Sequence, residues 1–336
     1  MPVEHQSRVT ITDVARTAGV SVATVSKVIN DRYGVAVSTS ARVQAVIDDL
    51  GYESSLVARS LRSHRTNVIG ILVAEFEPFS TEILKGVSAA ISGTGYELLA
   101  YSGGGRAGSE IGWEKRYLSR LSGTLIDGAI LVTPTVVAVR GIVPVVAIDP
   151  HTGPTGLPTI DSDNLNGGIL ATGHLLELGH RRIAFLGGRA DLESARLREE
   201  GYRTALGLAG IEVDPALVAN GGYRRETARE PAKALLLAHD RPTAIFAAND
   251  LSALGVMDAA AELGLSIPGD LSLVGFDNVP ESALTTPPLT TVNQPIQRMG
   301  SEAILLLTRL LNGQVVENNH IRLPTSLVER GSTSAL

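Results

Sequence analysis

Residues 9–30 read VTITDVARTAGVSVATVSKVIN, and the spacing within them decides the character of the N-terminal segment. Thr10-Ile11-Thr12-Asp13 has the form of a capping box, with the aspartate at the third helical position. Ile11, Val14 and Ala15 then make one apolar face. Ala18-Gly19-Val20 interrupts that face, and Ser21 offers an N-cap to a second helix in which Val25, Val28 and Ile29 share a side. A third helix is expected to start after Ser38 or Ser40, to bury Val43, Val46, Ile47 and Leu50, and to stop at Gly51. Three short helices with a tight glycine turn between the first two form a helix-turn-helix.

Such a unit lays its second helix in the major groove of duplex DNA, first turn toward the bases. The residues of that helix not needed for packing are Ser21, Val22, Ala23, Thr24, Ser26, Lys27 and Asn30. Ser21, Thr24 and Asn30 can donate to phosphate oxygens, which positions the helix without reading sequence. Val22 and Ala23 offer methyl contacts to thymine, and Lys27 reaches guanine acceptors. The same spacing also suits a plain three-helix packing unit with a wet polar face. Charge is divided in the direction DNA binding requires. Residues 1–66 hold eight basic and six acidic side chains, while the remainder holds 21 and 29, so a slightly positive head precedes an acidic body.

Residues 52–66 join the two parts. Val57 and Leu61 fall on one side of a short helix that has little to bury against, the profile of a linker that folds on a partner. Leu61 among several arginines suits insertion into a minor groove, and a solvated tether would read the same way.

From Asn67 onward, short apolar runs alternate with helical stretches. The runs are Val68–Ala74, Glu97–Tyr101, Gly128–Val132, Val143–Ile148, Arg182–Leu186, Thr243–Ala247 and Leu271–Phe276. Most are nearly continuous in β-branched residues, as strands covered on both faces are. Between them lie Thr81–Ser92, Asn166–Leu178, Leu197–Ala209, Thr227–Ala238 and Leu251–Leu263. This alternation means an α/β fold with parallel sheets, and some 265 residues call for two lobes. The chain has 336 residues and no cysteine, which excludes disulfides and thiolate chemistry and fits a reducing compartment. No apolar run approaches the length of a membrane span and residues 1–8 are polar, so a cytoplasmic protein is expected.

Open parallel sheets bind ligands beyond the carboxyl ends of their strands. Glu75-Phe76, Asp149, Asn249-Asp250 and Asp277-Asn278 follow four of the expected strands directly. Taken singly, each is a common turn or cap residue; converging on one cleft, they suit a polyol, whose hydroxyls carboxylates can chelate and whose C–H face an aromatic ring can cover. Gly103-Gly104-Gly105-Arg106-Ala107-Gly108 fits G-x-G-x-x-G, but it follows the second strand of its lobe and precedes its helix by several residues, so a loop is expected. The many aspartates also invite a glycosidase reading. There is no G-x-S-x-G, Walker A or H-E-x-x-H motif, and no active site is visible.

Val9–Ala15, Ala18–Ser21 and Thr24–Asn30 together resemble the head of the lactose/galactose-repressor (LacI/GalR) family of bacterial transcription regulators. Ala58-Arg59-Ser60-Leu61 resembles that family's hinge helix, and Asp127–Ile130, Leu178–Ala184, Ala248–Asp250, Val274–Asn278 and Pro288–Val292 resemble landmarks of its body. The resemblance implies a DNA-binding head (1–51), a hinge (52–66) and a core like that of periplasmic sugar-binding proteins, one lobe from 67–163 plus 292–323 and the other from 164–291 plus 324–330. It implies that Ser21, Thr24 and Asn30 meet phosphates, that Val22, Ala23 and Lys27 read bases, and that Ala58 and Leu61 belong to the minor-groove element. Effector contacts carry over to Asp149, Arg198, Asn249 and Asp277, with Ser194 in the same block as Arg198. Tyr223 stands where an aromatic covers the sugar face, and Glu75, Phe76 and Phe79 form the first-lobe wall. Implied partners are a pseudo-palindromic operator, a mono- or disaccharide effector and a second copy of the chain, with no metal or other cofactor. Val22 and Ala23 lack the hydrogen-bonding side chains some relatives have, and nothing after Val328-Glu329-Arg330 resembles a heptad helix, so a dimer is expected rather than a tetramer. A ligand that strengthens DNA binding, a transport-type sugar-binding protein and a sugar-processing enzyme are the alternatives.

Overall fold

A computed structural model describes residues 9–29, 32–52, 65–103, 111–136, 143–154 and 156–336. The chain divides into two units, Met1–Thr66 and Asn67–Leu336. Asn30, Ala58, Leu61 and most of the glycine run at 103–108 lie outside the described residues.

In the first unit, α1 (Ile11–Ala18) opens on the capping box. The Asp13 carboxylate accepts the Thr10 N–H at 3.0 Å, and the Thr10 hydroxyl oxygen accepts the Asp13 N–H at 3.4 Å. Gly19, at φ 65°, closes it in the left-handed region. α2 (Val22–Ile29) starts where Ser21 Oγ accepts the Thr24 N–H at 3.1 Å. α3 (Val37–Leu50) begins earlier than a serine cap would place it. Extended Ala36 is the N-cap, and its carbonyl takes the Thr39 and Ser40 amides, so the backbone starts the helix without a side-chain cap. Val14, Ala15, Ala18, Val25 and Val43 form the core, with Val46, Ile47 and Leu50 half-buried around it.

The second unit holds two six-stranded sheets. The first runs β11-β5-β4-β3-β1-β2 and is parallel throughout: β1 (Val68–Val73), β2 (Glu97–Ser102), β3 (Gly128–Val132), β4 (Val145–Ile148), β5 (Thr159–Ser162) and β11 (His320–Leu323). The second runs β12-β10-β9-β8-β6-β7: β6 (Ile183–Gly187), β7 (Val218–Asn220), β8 (Ala244–Ala247), β9 (Ser272–Asp277), β10 (Thr290–Asn293) and β12 (Ser326–Val328). Only the β10–β12 pairing is antiparallel in it. β1, β3, β4, β6, β8 and β9 are buried along their whole length, which is why their sequences are mainly apolar, with Ser272 and Asp277 at the two ends of β9.

Helices α4 (Pro78–Ile91) and α10 (Ile296–Leu311) pack together on the first sheet, where Ile83, Val87, Met299 and Ile304 meet Ile71 and Ile130 in one cluster. The same lobe contains α5 (Trp113–Leu121). The second sheet carries α6 (Asn164–Glu177), α7 (Glu193–Leu208), α8 (Arg225–Leu237) and α9 (Asp250–Glu262). α6 and α7 touch backbone to backbone at Gly201, where a Cβ would stand 2.4 Å from the Leu165 carbonyl oxygen. That contact fixes the helix bearing Arg198 against the element that leaves the first lobe.

The chain changes lobes at Asp163, at Gln294-Pro295 and at Pro324-Thr325. The second sheet therefore keeps Val292 and Asn293, two residues past the boundary expected at 291, because β10 stays paired with β9 as far as Asn293 opposite Asp277. Residues beyond 330 also belong to this lobe: the Leu273 amide donates to Ser332 O and the Leu336 amide to Leu178 O.

Candidate functional site

The carboxyl ends of the strands in both sheets open on one cleft of about 410 Å³. From the first lobe come Glu75, Glu77 and Phe79 after β1, Thr133 after β3, and Asp149 and His151 after β4. From the second come Ser194 and Arg198 on α7, Tyr223 and Arg224 after β7, Asn249 after β8, Asp277 closing β9, and Gln294 after β10. Of the effector residues expected from the sequence, Glu75, Phe79, Asp149, Ser194, Arg198, Tyr223, Asn249 and Asp277 line it. Phe76 is not among the lining residues; it is 52% exposed, because the loop after β1 directs it to solvent while its neighbours face the cleft.

Backbone strain is concentrated here. Six described non-glycine residues have positive φ, and four of them, Thr133, Asp149, Tyr223 and Asp277, line the cleft. Strain of this kind persists only where packing holds it, and it gathers at functional sites.

Arg198 is the centre of the floor and is buried. Its Nε donates to Asn164 Oδ1 at 2.8 Å, and its Nη1 to the Ala248 carbonyl at 2.6 Å and to Asp277 Oδ1 at 3.3 Å. The guanidinium lies 3.7 Å from the Phe276 ring centroid and 5.4 Å from that of Tyr223. Three sides are thus fixed before any ligand arrives, which preorganises the group for bidentate contact with hydroxyls.

Asp277 also accepts from Gln294 Nε2 at 2.6 Å. Burial pushes its carboxyl up to about 6 against the pull of Arg198. Burial likewise pushes Asp149 up to about 6, again opposed by Arg198. The Tyr223 phenol is pushed up to about 12 by burial, opposed by Arg198 and by the Ser194 hydroxyl. A Cβ on Gly188 would stand 2.2 Å from the Tyr223 ring, so only glycine there lets the ring lie flat on the strand end. Burial holds His151 below the ordinary imidazole value, with Asp191 at 3.1 Å from its Nδ1.

Asn249 has a dual position. It lines the cleft, yet its Oδ1 caps α9 through the Ser252 amide at 2.9 Å and its Nδ2 donates to Tyr223 O at 3.1 Å. Its neighbour Asp250 faces inward, accepting from Thr291 Oγ1 at 2.6 Å and from the Val279 amide at 2.9 Å, and is a structural brace. At the mouth, Arg224 Nη2 of the second lobe pairs with Glu75 Oε2 of the first at 2.6 Å. Arg224, His151 and Gln294 were not anticipated. His151 stands two residues past Asp149, beyond the strand-end positions considered, whereas Arg224 and Gln294 follow β7 and β10, strands too polar or too short to be recognised. Among the described residues no group of side chains is arranged to hold a metal ion, and no helix is long and apolar enough to cross a membrane.

In the head, α2 presents Ser21, Val22, Ala23 and Lys27 to solvent, with Thr24 and Ser26 half-buried. Val22 is 38% exposed although apolar, as a methyl-contact residue on a groove-facing turn would be. The Ser21 and Thr24 hydroxyls lie 2.9 Å apart.

Residues 10–55 match the model of bacterial regulatory proteins of the lacI family, and residues 172–333 match a periplasmic binding protein-like domain. The ribose operon repressor of Escherichia coli strain K12 is 36% identical over 333 residues, covering 96% of this chain and 99% of the relative. The Lac repressor dimer bound to operator and the anti-inducer ONPF superposes with a TM-score of 0.85 at 30% identity, over 98% of this chain and 100% of that one. The complex of the transcriptional regulator CelR with cellobiose matches with a TM-score of 0.72 at 32% identity, over 97% of this chain and 100% of that one.

Proposed function

The chain belongs to the lacI family of bacterial regulatory proteins, and from that premise we propose that it is a transcriptional repressor released from its operator by a small sugar held in the cleft. It binds DNA through the head and works as a dimer, two heads meeting the half-sites of a pseudo-palindrome. Ser21, Thr24 and Asn30 hold phosphates, Val22, Ala23 and Lys27 face base edges with Ser26 on the same DNA-binding helix, and Ala58 and Leu61 belong to a hinge that orders in the central minor groove. The sugar is a mono- or disaccharide, and the place of action is the cytoplasm, where the operator lies. The division of labour is head, hinge and two lobes, with the lobe boundaries drawn at the crossings described above.

The observation that carries this reading is the meeting of Arg198, Asp277, Asp149 and Tyr223 in one cleft built from both lobes. A polyol bridging those residues bears on the angle between the lobes, and any sugar with unequal affinity for two lobe orientations shifts the population between them. Reciprocal linkage then requires DNA to weaken sugar binding by the same factor, typically about 5–150-fold. The protein is read as a binder rather than an enzyme: Asp277 is engaged by Arg198 and Gln294, an arrangement that suits holding a ligand. No further cofactor is called for.

The test is fluorescence polarisation with fragments of the promoters beside the gene, at fixed salt, alone and with a panel of mono- and disaccharides. One fragment should bind at least about 10³-fold more tightly than random DNA, and one sugar should weaken that binding. A sugar that instead tightens it would make the ligand a co-repressor. No preference for any fragment over random DNA would overturn the reading.

A further inference from the structure

Five buried side chains form a closed hydrogen-bonded ring that joins the cleft floor to two of the three places where the chain changes lobes. Gln294 is the first residue past β10, and Ser162 is the last residue of β5, immediately before the crossing at Asp163. Ser162 Oγ donates to Gln294 Oε1 at 2.7 Å, and Gln294 Nε2 donates to Asp277 Oδ1 at 2.6 Å. Arg198 Nη1 reaches the same Asp277 oxygen at 3.3 Å, and its Nε reaches Asn164 Oδ1 at 2.8 Å. Asn164 Nδ2 closes the ring on the Ser162 carbonyl at 3.2 Å. None of the five is more than 6% exposed.

The amide of Gln294 has only one good orientation. Turned over, it would set an acceptor against the Asp277 carboxylate, and burial makes such a mismatch costly. Its polarity is therefore dictated by Asp277, and its other end grips the strand that leaves the first lobe. Three ring members, Arg198, Asp277 and Gln294, face the cleft, where a ligand hydroxyl competes for the same atoms. Ser162 faces no part of the cleft lining.

We propose that Ser162 and Gln294 are positioning residues for the effector response, carrying the state of Asp277 to the β5 and β10 crossings and so setting the lobe angle. This rests on the cleft being the effector site. It predicts that breaking the ring at its far side uncouples the two functions without damaging the sugar contacts.

Ser162→Ala removes the hydroxyl without changing the identity of any side chain that lines the cleft, while Ser162→Thr keeps a hydroxyl. Two measurements separate the outcomes. In the first, spin labels on Ser92→Cys and Asp240→Cys, in a chain with no cysteine of its own, report the interlobe distance without ligand. Ser162→Ala should broaden or shift that distribution and Ser162→Thr should restore it; an unchanged distribution, or no restoration, overturns the proposal. In the second, operator affinity is measured with and without saturating cellobiose or ribose. Ser162→Ala should cut the sugar's effect on operator affinity at least 5-fold while the free protein's sugar affinity stays within 3-fold. Unchanged coupling, or coupling and sugar affinity lost together, overturns it. If neither sugar moves wild-type operator binding, cellobiose and ribose are excluded as effectors, and the label measurement still decides the role of the ring.

Discussion

The head and the cleft bring functional side chains together by opposite routes. In the head, Ser21, Val22, Ala23 and Lys27 lie within seven consecutive positions at the start of and along one eight-residue helix and stand in solvent, held by a core as small as five buried residues. In the cleft, Arg198 and Asp277 are 79 positions apart, and behind it Ser162 and the lining residue Gln294 are 132 apart, yet they are locked by buried hydrogen bonds. A surface that must fit a long, regular polyanion needs only a rigid helix and exposed donors. A site that must respond to a small ligand needs groups fixed relative to one another and to the lobes. Substitutions in the head should therefore change affinity with little effect on folding, whereas substitutions in the cleft floor should change both.

Arg198→Ala tests that contrast most severely. It leaves Asp277 buried without its cation and strips Asn164 and Ala248 of their donor. Breaking a buried pair from one side costs about 3–5 kcal/mol. Chemical denaturation of the core should show a loss of that order, and the sugar effect on operator binding should vanish while operator binding itself persists. A variant of wild-type stability that still responds to sugar would remove Arg198 from the floor.

Lys27→Ala probes the other side. An exposed base-reading contact is worth about 1–3 kcal/mol of discrimination. Specific operator affinity should fall roughly 5–150-fold, affinity for random DNA should fall much less, and thermal stability should not move. An equal fall for both DNAs would make Lys27 a phosphate contact instead.

The same contrast explains what could be read from the sequence. The three head helices were legible because caps and periodicity act over four residues: Thr10, Ser21 and Gly51 stand where expected, and only the start of α3 differs, at a backbone-capped Ala36. The fully buried strands other than β5 were legible as apolar runs. β5 (TIDS), β7 (VAN), β10 (TTVN), β11 (HIRL) and β12 (SLV) were not, because their polar residues serve the lobe junction and the sheet edges. α5 and α10 were missed beside them. Gln294 went unseen for the same reason as β10. Most of the cleft residues, by contrast, follow strand ends or sit in motifs that resemblance supplied. Phe76 shows the limit of such reading, since adjacent positions on one loop face opposite ways.

The Glu75–Arg224 pair lies at the wet edge of the otherwise buried site, and it carries the smallest expected effect. It bridges the lobes at 2.6 Å, but both side chains are partly exposed, so an isolated pair of this kind contributes only about 0.2–1 kcal/mol. Glu75→Gln or Arg224→Gln should speed sugar dissociation by roughly 1.4–5-fold at low ionic strength, as the closed arrangement loses one tie between its lobes. The charge-reversed double variant, Glu75→Arg with Arg224→Glu, should recover most of the loss in a double-mutant cycle. Because the pair is solvent-accessible, both the loss and the recovery should shrink toward nothing near 1 M salt, where the screening length is about 3 Å. Stopped-flow displacement of bound sugar measures all of these rates. A loss that survives high salt, or a reversal that restores nothing, would mean that the mouth is held by packing and that the pair merely sits on it.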